Sequence, residues 1–328
     1  MSGLEITGHK TLQLFSGRGY PELTDEIAQH LDCTTSPVTL YDFPNSEIYC
    51  KFEESVRGCD AFVVQSYSAP VNTWLMEQLI MVDALKRASA KRITVVAPFY
   101  PYSRQDKKTL AREPITAKLV ADLFRTAGAN RIISIDLHTP QIQGYFDAAL
   151  DHLTALPLLS DYLQDKLDLS LTTIVSPDTG RVRTAEKYTD RLGKEVNLAF
   201  VHKRRDARVP SDVKVFEVVG DVEGRTCVIV DDMIDTAGTI TKAADALLAR
   251  GALEVLCAAT HGVFSGPAID RLKNSQISEI IVTNTLPIPD DKRFDKLTVL
   301  SVAPIIAAAI RAVFDDTTVS GLFDGTTA

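Results

Sequence analysis

Cysteine is scarce in this 328-residue chain: Cys33, Cys50, Cys59, Cys227 and Cys257 are odd in number, widely scattered and form no C-x-x-C pair. A disulfide framework or a thiolate zinc site is therefore not expected. Long apolar runs are missing too. Met1 to Leu14 has no apolar signal core and Val302 to Ile310 is too short to span a bilayer, so the sequence reads as cytoplasmic, with no membrane partner. Low-complexity tracts and short tandem repeats are absent, which argues against disordered linkers and repeat arrays. Positive charge is in deficit, 35 Lys and Arg against 43 Asp and Glu, and the net charge of -8 would repel nucleic-acid phosphates over most of the exterior. An anionic substrate then needs local cations, and two clusters supply them, Arg104 to Lys108 and Lys203 to Arg205.

What the chain does have is 45% hydrophobic residues, enough for more than one core at this length. Short β-branched runs alternate with stretches of helical period from end to end, the pattern of βαβ units and parallel sheets, so the fold class is α/β. Strands are predicted at Thr11 to Phe15, Ala61 to Val64, Ile93 to Ala97 and Ile132 to Ile135. Five more follow at Thr173 to Val175, Leu198 to Val201, Cys227 to Val230, Val255 to Ala259 and Ile280 to Thr283. Asn72 to Ala90 places Leu75, Leu79, Val82 and Leu85 at helical spacing without Gly or Pro and predicts one long amphipathic helix. Further helices are predicted near Ile115 to Ala127, Thr184 to Leu192 and Thr239 to Arg250. Length and Pro157 place a domain boundary between Asp151 and Pro157, giving domains of 1–153 and 154–328.

The stretch Val228 to Ile240 reads V-I-V-D-D-M-I-D-T-A-G-T-I: an apolar strand ending in two carboxylates, a turn of small residues, then a helical pattern. In an open α/β sheet, ligands sit beyond the carboxyl ends of the strands. Asp231 and Asp232 would project into that crevice, while the amides of Asp235, Thr236, Ala237, Gly238 and Thr239 open a helix N-terminus able to cradle a phosphate. Gly238 permits close backbone approach, the hydroxyls of Thr236 and Thr239 add donors, and the paired aspartates can accept hydrogen bonds from a vicinal diol. Phosphate at one end and diol at the other describe ribose 5-phosphate. The bland alternative is a strand terminus followed by a capped helix. A Walker-B strand is a second alternative, but no G-x-x-x-x-G-K-[ST] accompanies it.

This segment resembles the phosphoribosyl-diphosphate motif shared by type I phosphoribosyltransferases and ribose-phosphate pyrophosphokinases. Met81 to Ala90, Arg104 to Asp106, Arg112 to Lys118, Asp136 to His138, Gln141 to Gly144 and Ser176 to Asp178 resemble the pyrophosphokinases throughout. The resemblance implies two type I phosphoribosyltransferase-like domains, each a mainly parallel sheet flanked by helices, with the last helix packing back on the N-terminal one. It also implies transfer of the β,γ-diphosphate of ATP to the anomeric hydroxyl of ribose 5-phosphate, for nucleotide biosynthesis.

Other residues acquire roles in the same way. Tyr100 to Arg112 is cation-rich and predicted to be a mobile surface loop; the resemblance implies that Arg104, Gln105 and Asp106 bind ATP and that the loop closes over it. Asp136-Leu137-His138 ends a predicted strand, and by resemblance His138 contacts ATP and, with Asp178, helps hold Mg²⁺, two ions per site. Lys203 and Arg205 follow an apolar run and alternate onto one face; by resemblance both are catalytic, and Arg205 also binds ribose 5-phosphate. Phe43, Asn45, Ser46 and Glu47 resemble the adenine loop, which in the family reaches a neighbouring subunit, although Pro44, Asn45 and Ser46 equally suit a plain turn. Arg181 stands where the family usually has a second glycine. The resemblance further implies a homohexamer with phosphate and ADP as effectors. The rivals are a type I phosphoribosyltransferase, which leaves the Arg104 loop and Lys203 to Arg205 unexplained, and a non-catalytic regulatory homologue, which leaves those cations and His138 unexplained.

Overall fold

A computed structural model describes residues 10–205, 214–319 and 321, with backbone alone for 203–205, 214 and 215. The chain divides into two compact units, one comprising Met1–Leu153 with Ala303–Ala328 and the other Thr154–Val302.

The first unit runs β1 (Leu12–Ser16), α1 (Pro21–His30), β2 (Val38–Asp42), β3 (Ile48–Phe52), β4 (Asp60–Val64), α2 (Val71–Arg87), β5 (Arg92–Val96), α3 (Thr116–Ala127), β6 (Arg131–Ile135) and β7 (Ala149–Leu153). Its main sheet has the order β1-β4-β5-β6-β7 and every pair is parallel. β4 is buried along its whole length, as expected of a strand covered on both faces. β2 and β3 form a separate antiparallel hairpin. α2 ends at Arg87, three residues before the predicted end, because Ser89 adopts a left-handed φ of 66° that no helix continues through. The cations Lys86 and Arg87 lie in its last turn, where they complement the helix dipole.

The second unit runs α4 (Leu156–Lys166), β8 (Thr172–Ser176), α5 (Val182–Leu192), β9 (Asn197–Arg205), β10 (Lys214–Val219), β11 (Thr226–Ile234), α6 (Gly238–Ala249), β12 (Glu254–Gly262), α7 (Ala268–Asn274), β13 (Glu279–Thr283) and β14 (Leu297–Leu300). The sheet order is β10-β9-β8-β11-β12-β13-β14, parallel except for the β9–β10 pair. Its core joins Ile229, Val255 and Cys257 of the sheet to Ile240, Ala243 and Leu247 of α6. That packing fixes the start of α6 against the end of β11.

α8 (Ala303–Phe314) belongs to the first unit and lies against α1, with Arg311 Nη2 donating to the Leu31 carbonyl at 3.0 Å. Among the described residues, no helix is long and apolar enough to cross a membrane.

Three strands run at least three residues past their predicted ends: β12 reaches Gly262, and two others change the reading of the site. β11 continues through Asp231 and Asp232 to Ile234 because β12 pairs with it that far, Met233 opposite His261 and Ile234 opposite Gly262. β9 continues through Lys203 to Arg205 because β10 pairs antiparallel with it. The aspartates therefore lie inside a strand, two residues short of its end, and the basic cluster forms the last residues of another.

Candidate active site

In the second sheet the chain passes from β8 to β9 in one direction and from β11 to β14 in the other, so β8 and β11 flank a topological switch point. Loops leaving two such strands diverge and open a crevice beyond their carboxyl ends. The pairing of β8 with β11 ends at Val175 opposite Ile229, so Asp231 and Asp232 overhang the crevice.

The turn that follows β11 is pinned from one side. The Ile234 carbonyl accepts from the amides of Val263 and Phe264, both at 3.0 Å, and the Asp235 carbonyl accepts from Ser265 N–H at 2.9 Å. The Thr236 carbonyl accepts from Arg271 Nη1 at 2.9 Å. The Ala237 carbonyl accepts from the Thr241 amide at 3.0 Å and the Thr241 hydroxyl at 3.1 Å. In a planar trans peptide the C=O of one residue and the N–H of the next point in opposite directions. Four carbonyls held inward thus present the amides of Asp235, Thr236, Ala237 and Gly238 on the opposite side, a concave set of donors at the N-terminus of α6. Ala237 sits in the left-handed region at φ 60°, a conformation that costs a non-glycine residue on the order of 1 kcal/mol and gathers at binding sites. Thr236 and Thr239 are exposed at the rim. A Cβ at Gly238 would lie 3.1 Å from Arg271 Nη1, so the guanidinium that braces the turn would have to give by a few tenths of an ångström.

Behind the turn, Asp232 is buried and Asp231 nearly so. Arg181, at the threshold of α5, meets both: Nε lies 3.3 Å from Asp231 Oδ1 and Nη2 2.8 Å from Asp232 Oδ1. Asp231 Oδ1 also accepts from the Asp232 amide at 2.8 Å. Burial pushes the Asp231 carboxyl well above the usual carboxylate range, the neighbouring Asp232 adds to this, and Arg181 opposes it. Asp178, beyond β8, is exposed and accepts from Gly180 N–H at 2.8 Å.

Lys203 and Arg205 occupy the end of β9, opposite Phe216 and Lys214 of β10. Their side chains lie outside the described residues.

In the first unit the segment predicted as one mobile loop is of two kinds. Tyr100, Ser103 and Asp106 are buried, while Arg104, Gln105 and residues 107–112 are exposed. Asp106 is held by Thr139 Oγ1 at 2.7 Å and Gln141 Nε2 at 3.2 Å, and Tyr145 OH donates to its carbonyl. Tyr100 OH donates to the Ala117 carbonyl at 3.0 Å, and the Gln105 side chain accepts from Thr116 Oγ1 at 2.5 Å. Asp106, expected to bind ATP, is turned inward and braces the loop, while the cations Arg104, Lys107, Lys108 and Arg112 are exposed. His138 follows β6 after Asp136, whose φ of 37° turns the chain at the strand end.

On the β2–β3 hairpin Phe43 is 41% exposed and forms an aromatic group with Tyr41 and Tyr49, at centroid distances of 5.3 and 6.0 Å. The connecting residues close a tight turn, with Ser46 N–H donating to the Phe43 carbonyl at 2.8 Å and Asn45 Oδ1 accepting from Glu47 N–H at 3.2 Å. Ser46 takes the left-handed φ of 68°. Asn45 and Ser46 therefore shape the turn, and the ring of Phe43 stays exposed beside it. The sequence reading missed Arg181 as a partner of the aspartates and Arg271 as the brace of the turn. Two adjacent buried carboxylates require a cation, so the first had a signal; the second, 35 residues away in sequence, had none.

Comparison with known proteins bears on the whole chain. Residues 12–128 match the model of the N-terminal domain of ribose phosphate pyrophosphokinase, and residues 205–324 match that of the phosphoribosyl synthetase-associated domain. The ribose-phosphate pyrophosphokinase of Streptomyces coelicolor is 60% identical over 324 residues, 99% of each chain. That of Mycobacterium tuberculosis is 59% identical over 316 residues, 96% of this chain and 97% of the relative. The crystal structure of phosphoribosylpyrophosphate synthetase from Mycobacterium smegmatis is 57% identical and superposes with a TM-score of 0.88, over 94% of this chain and all of that one. With relatives this similar along nearly its full length, the chain belongs to the ribose-phosphate pyrophosphokinase family.

Proposed function

We propose that the chain transfers the β,γ-diphosphate of Mg-ATP to the anomeric hydroxyl of ribose 5-phosphate, giving 5-phosphoribosyl 1-diphosphate and AMP. The observation that carries this reading is the turn at residues 235–238, whose inward-held carbonyls present four amides beside two buried carboxylates. The amides and the hydroxyls of Thr236 and Thr239 take the 5-phosphate, and Asp231 and Asp232 accept from the ring hydroxyls. That leaves the anomeric hydroxyl as the part of the sugar directed at a second substrate.

ATP is held from the first unit. Phe43 stacks on the adenine with Glu47 beside its edge, Arg104 and Gln105 meet the triphosphate, and Asp106 keeps their segment in place. Lys203 and Arg205 neutralise the charge that develops as the diphosphate passes between oxygens. Phosphoryl-type transfer depends on in-line positioning and charge stabilisation more than on a base, and cations suit that demand. No covalent intermediate with the chain is needed.

Among the described residues no group of three or more His, Cys, Asp or Glu side chains forms a metal cage. An exposed carboxylate at Asp178 suits a hard ion that keeps most of its positions for water and phosphate oxygens, whereas the imidazole of His138 would act on such an ion only through water. Mg²⁺, two ions per site in this proposal, supplies neutralisation of the β- and γ-phosphate oxygens when bound. The proposal extends to a cytoplasmic homohexamer with phosphate and ADP as effectors.

The deciding experiment is AMP release from ATP and ribose 5-phosphate, with and without inorganic phosphate. Release that requires the sugar phosphate is the expected result, and silence under all conditions overturns the reading. A phosphoribosyltransferase would instead consume 5-phosphoribosyl 1-diphosphate with a nucleobase.

A further inference from the structure

The pairing of Arg181 with Asp231 and Asp232 does not follow from the binding roles given above. One guanidinium spans two adjacent carboxylates, with Nε on one and Nη2 on the other, at 3.3 and 2.8 Å. Arg181 is itself mostly sheltered, its side chain 18% exposed, so solvent screens these contacts only partly. Its backbone is fixed as well: the Arg181 carbonyl accepts from the amides of Thr184 at 3.0 Å and Ala185 at 3.2 Å as α5 begins. The fork therefore starts from a rigid helix threshold on the β8 side of the crevice and reaches the acidic pair on the β11 side.

We propose that Arg181 is a positioning residue for the sugar diol, a planar fork that fixes the two carboxylates toward vicinal hydroxyls and works against the burial that would turn one of them from acceptor into donor. The proposal rests on the reading that Asp231 and Asp232 receive the diol. Two O–H groups require two acceptors, and a carboxyl that takes up a proton becomes a donor at the place where an acceptor is needed. Adjacent buried carboxylates repel and favour such uptake, and a shared cation opposes it. Arginine is suited to this because its rigid fork can engage two oxygens at once, whereas the ammonium of lysine is a point charge on a flexible stem. The role makes Arg181 a determinant of selectivity for ribose over sugars that lack one of the two hydroxyls.

The test compares the parent, Arg181→Gly and Arg181→Lys in steady-state kinetics, with ribose 5-phosphate and with 2-deoxyribose 5-phosphate. For Arg181→Gly we expect KM for ribose 5-phosphate to rise about tenfold, the loss of one charge-assisted contact. The KM for ATP should stay within twofold of the parent, and the preference for ribose over deoxyribose should shrink. Arg181→Lys should recover part of that preference. A KM for ribose 5-phosphate that is unchanged or lowered in Arg181→Gly overturns the proposal, because Arg181 would then be idle or would compete with the sugar. Equal losses with both sugars also overturn it, since that is what general damage produces. If Arg181→Gly does not fold, Arg181→Lys with the two sugars decides alone: preference below the parent supports the role, preference equal to it refutes it. Asp231→Asn separates the two levels. If Asp231→Asn leaves the KM for ribose 5-phosphate unchanged, the diol reading itself fails; if it raises that KM while Arg181→Gly does not, only the role of Arg181 fails.

Discussion

The two main sheets make opposite use of similar strands. In the first unit the order β1-β4-β5-β6-β7 advances in one direction, so among its described strands no switch point opens a crevice. In the second, the chain reverses between β8 and β11, and the cradle lies there. On the proposed reading, a switch point lets one short sequence build a whole sugar-phosphate site, because strand end, turn and helix start are contiguous. The proposed ATP site, without one, draws on separate pieces: the hairpin ring of Phe43, the exposed Arg104 and the end of β6. If the proposal holds, the acceptor site is preformed by local sequence, whereas the donor site depends on loops and their braces.

The comparison can be tested at decreasing strength. Lys203→Ala should lower kcat by at least about 100-fold, or ~3 kcal/mol, as for removal of one preorganised charge-stabilising donor. Binding of ribose 5-phosphate by calorimetry should persist in that variant, and near-normal turnover would remove Lys203 from its role. Asp106→Ala leaves the hydroxyl of Thr139 and the amide of Gln141 without their acceptor, and should cost about 2 kcal/mol in urea unfolding. A variant as stable as the parent would show that the loop is not braced there. Arg104→Ala should raise the KM for ATP about tenfold, ~1.4 kcal/mol, and leave ribose 5-phosphate binding intact. Movement of both constants together would break the division between a preformed acceptor site and a loop-built donor site.

The smallest effect concerns pH. Hydrogen bonds from Lys10 and Arg92 pull the exposed Asp316 carboxyl from its ordinary 3.8 down to about 2. A lowered folded-state pKa stabilises the protein above the ordinary value, and that contribution fades as pH falls through the folded one. The Tm of Asp316→Asn should therefore sit slightly below the parent at neutral pH, and the gap should close between roughly pH 4 and pH 2. Added salt should narrow the neutral gap, since the pair is exposed.

Much of this was legible in residues. The β-branched strands and the D-D-M-I-D-T-A-G-T run state their structure locally, because a buried parallel strand and a strand–turn–helix junction are each written in a few adjacent positions. β7, β10 and β14 went unread. β10 owes its place to antiparallel pairing with β9, and Leu297–Leu300 is too short to show a period. The β2–β3 hairpin, half exposed, did carry a period-two signal in Val38 and Leu40 and in Cys50 and Phe52, which pack against the core of the first unit. α1 did have a signal, Pro21 at its first turn followed by Leu23 and Ile27, both buried. In the site, the inward turn of Asp106 could not be seen, because its partners Thr139 and Gln141 come from a distant segment. Arg181 could be seen only as a departure from a pattern, since its partners are set by the adjacency of β8 and β11.

The placement of α8 bears on the timing of folding. A ribosome delivers all of Thr154–Val302 before it delivers the helix that completes the first unit. The apolar side of α1 must wait through that interval for its cover, while the second unit already has every strand it needs. Synthesis therefore favours a chain whose second unit matures early and whose first unit is finished late, and emergence of α8, more than emergence of residue 153, marks the moment when the first unit can become fully stable.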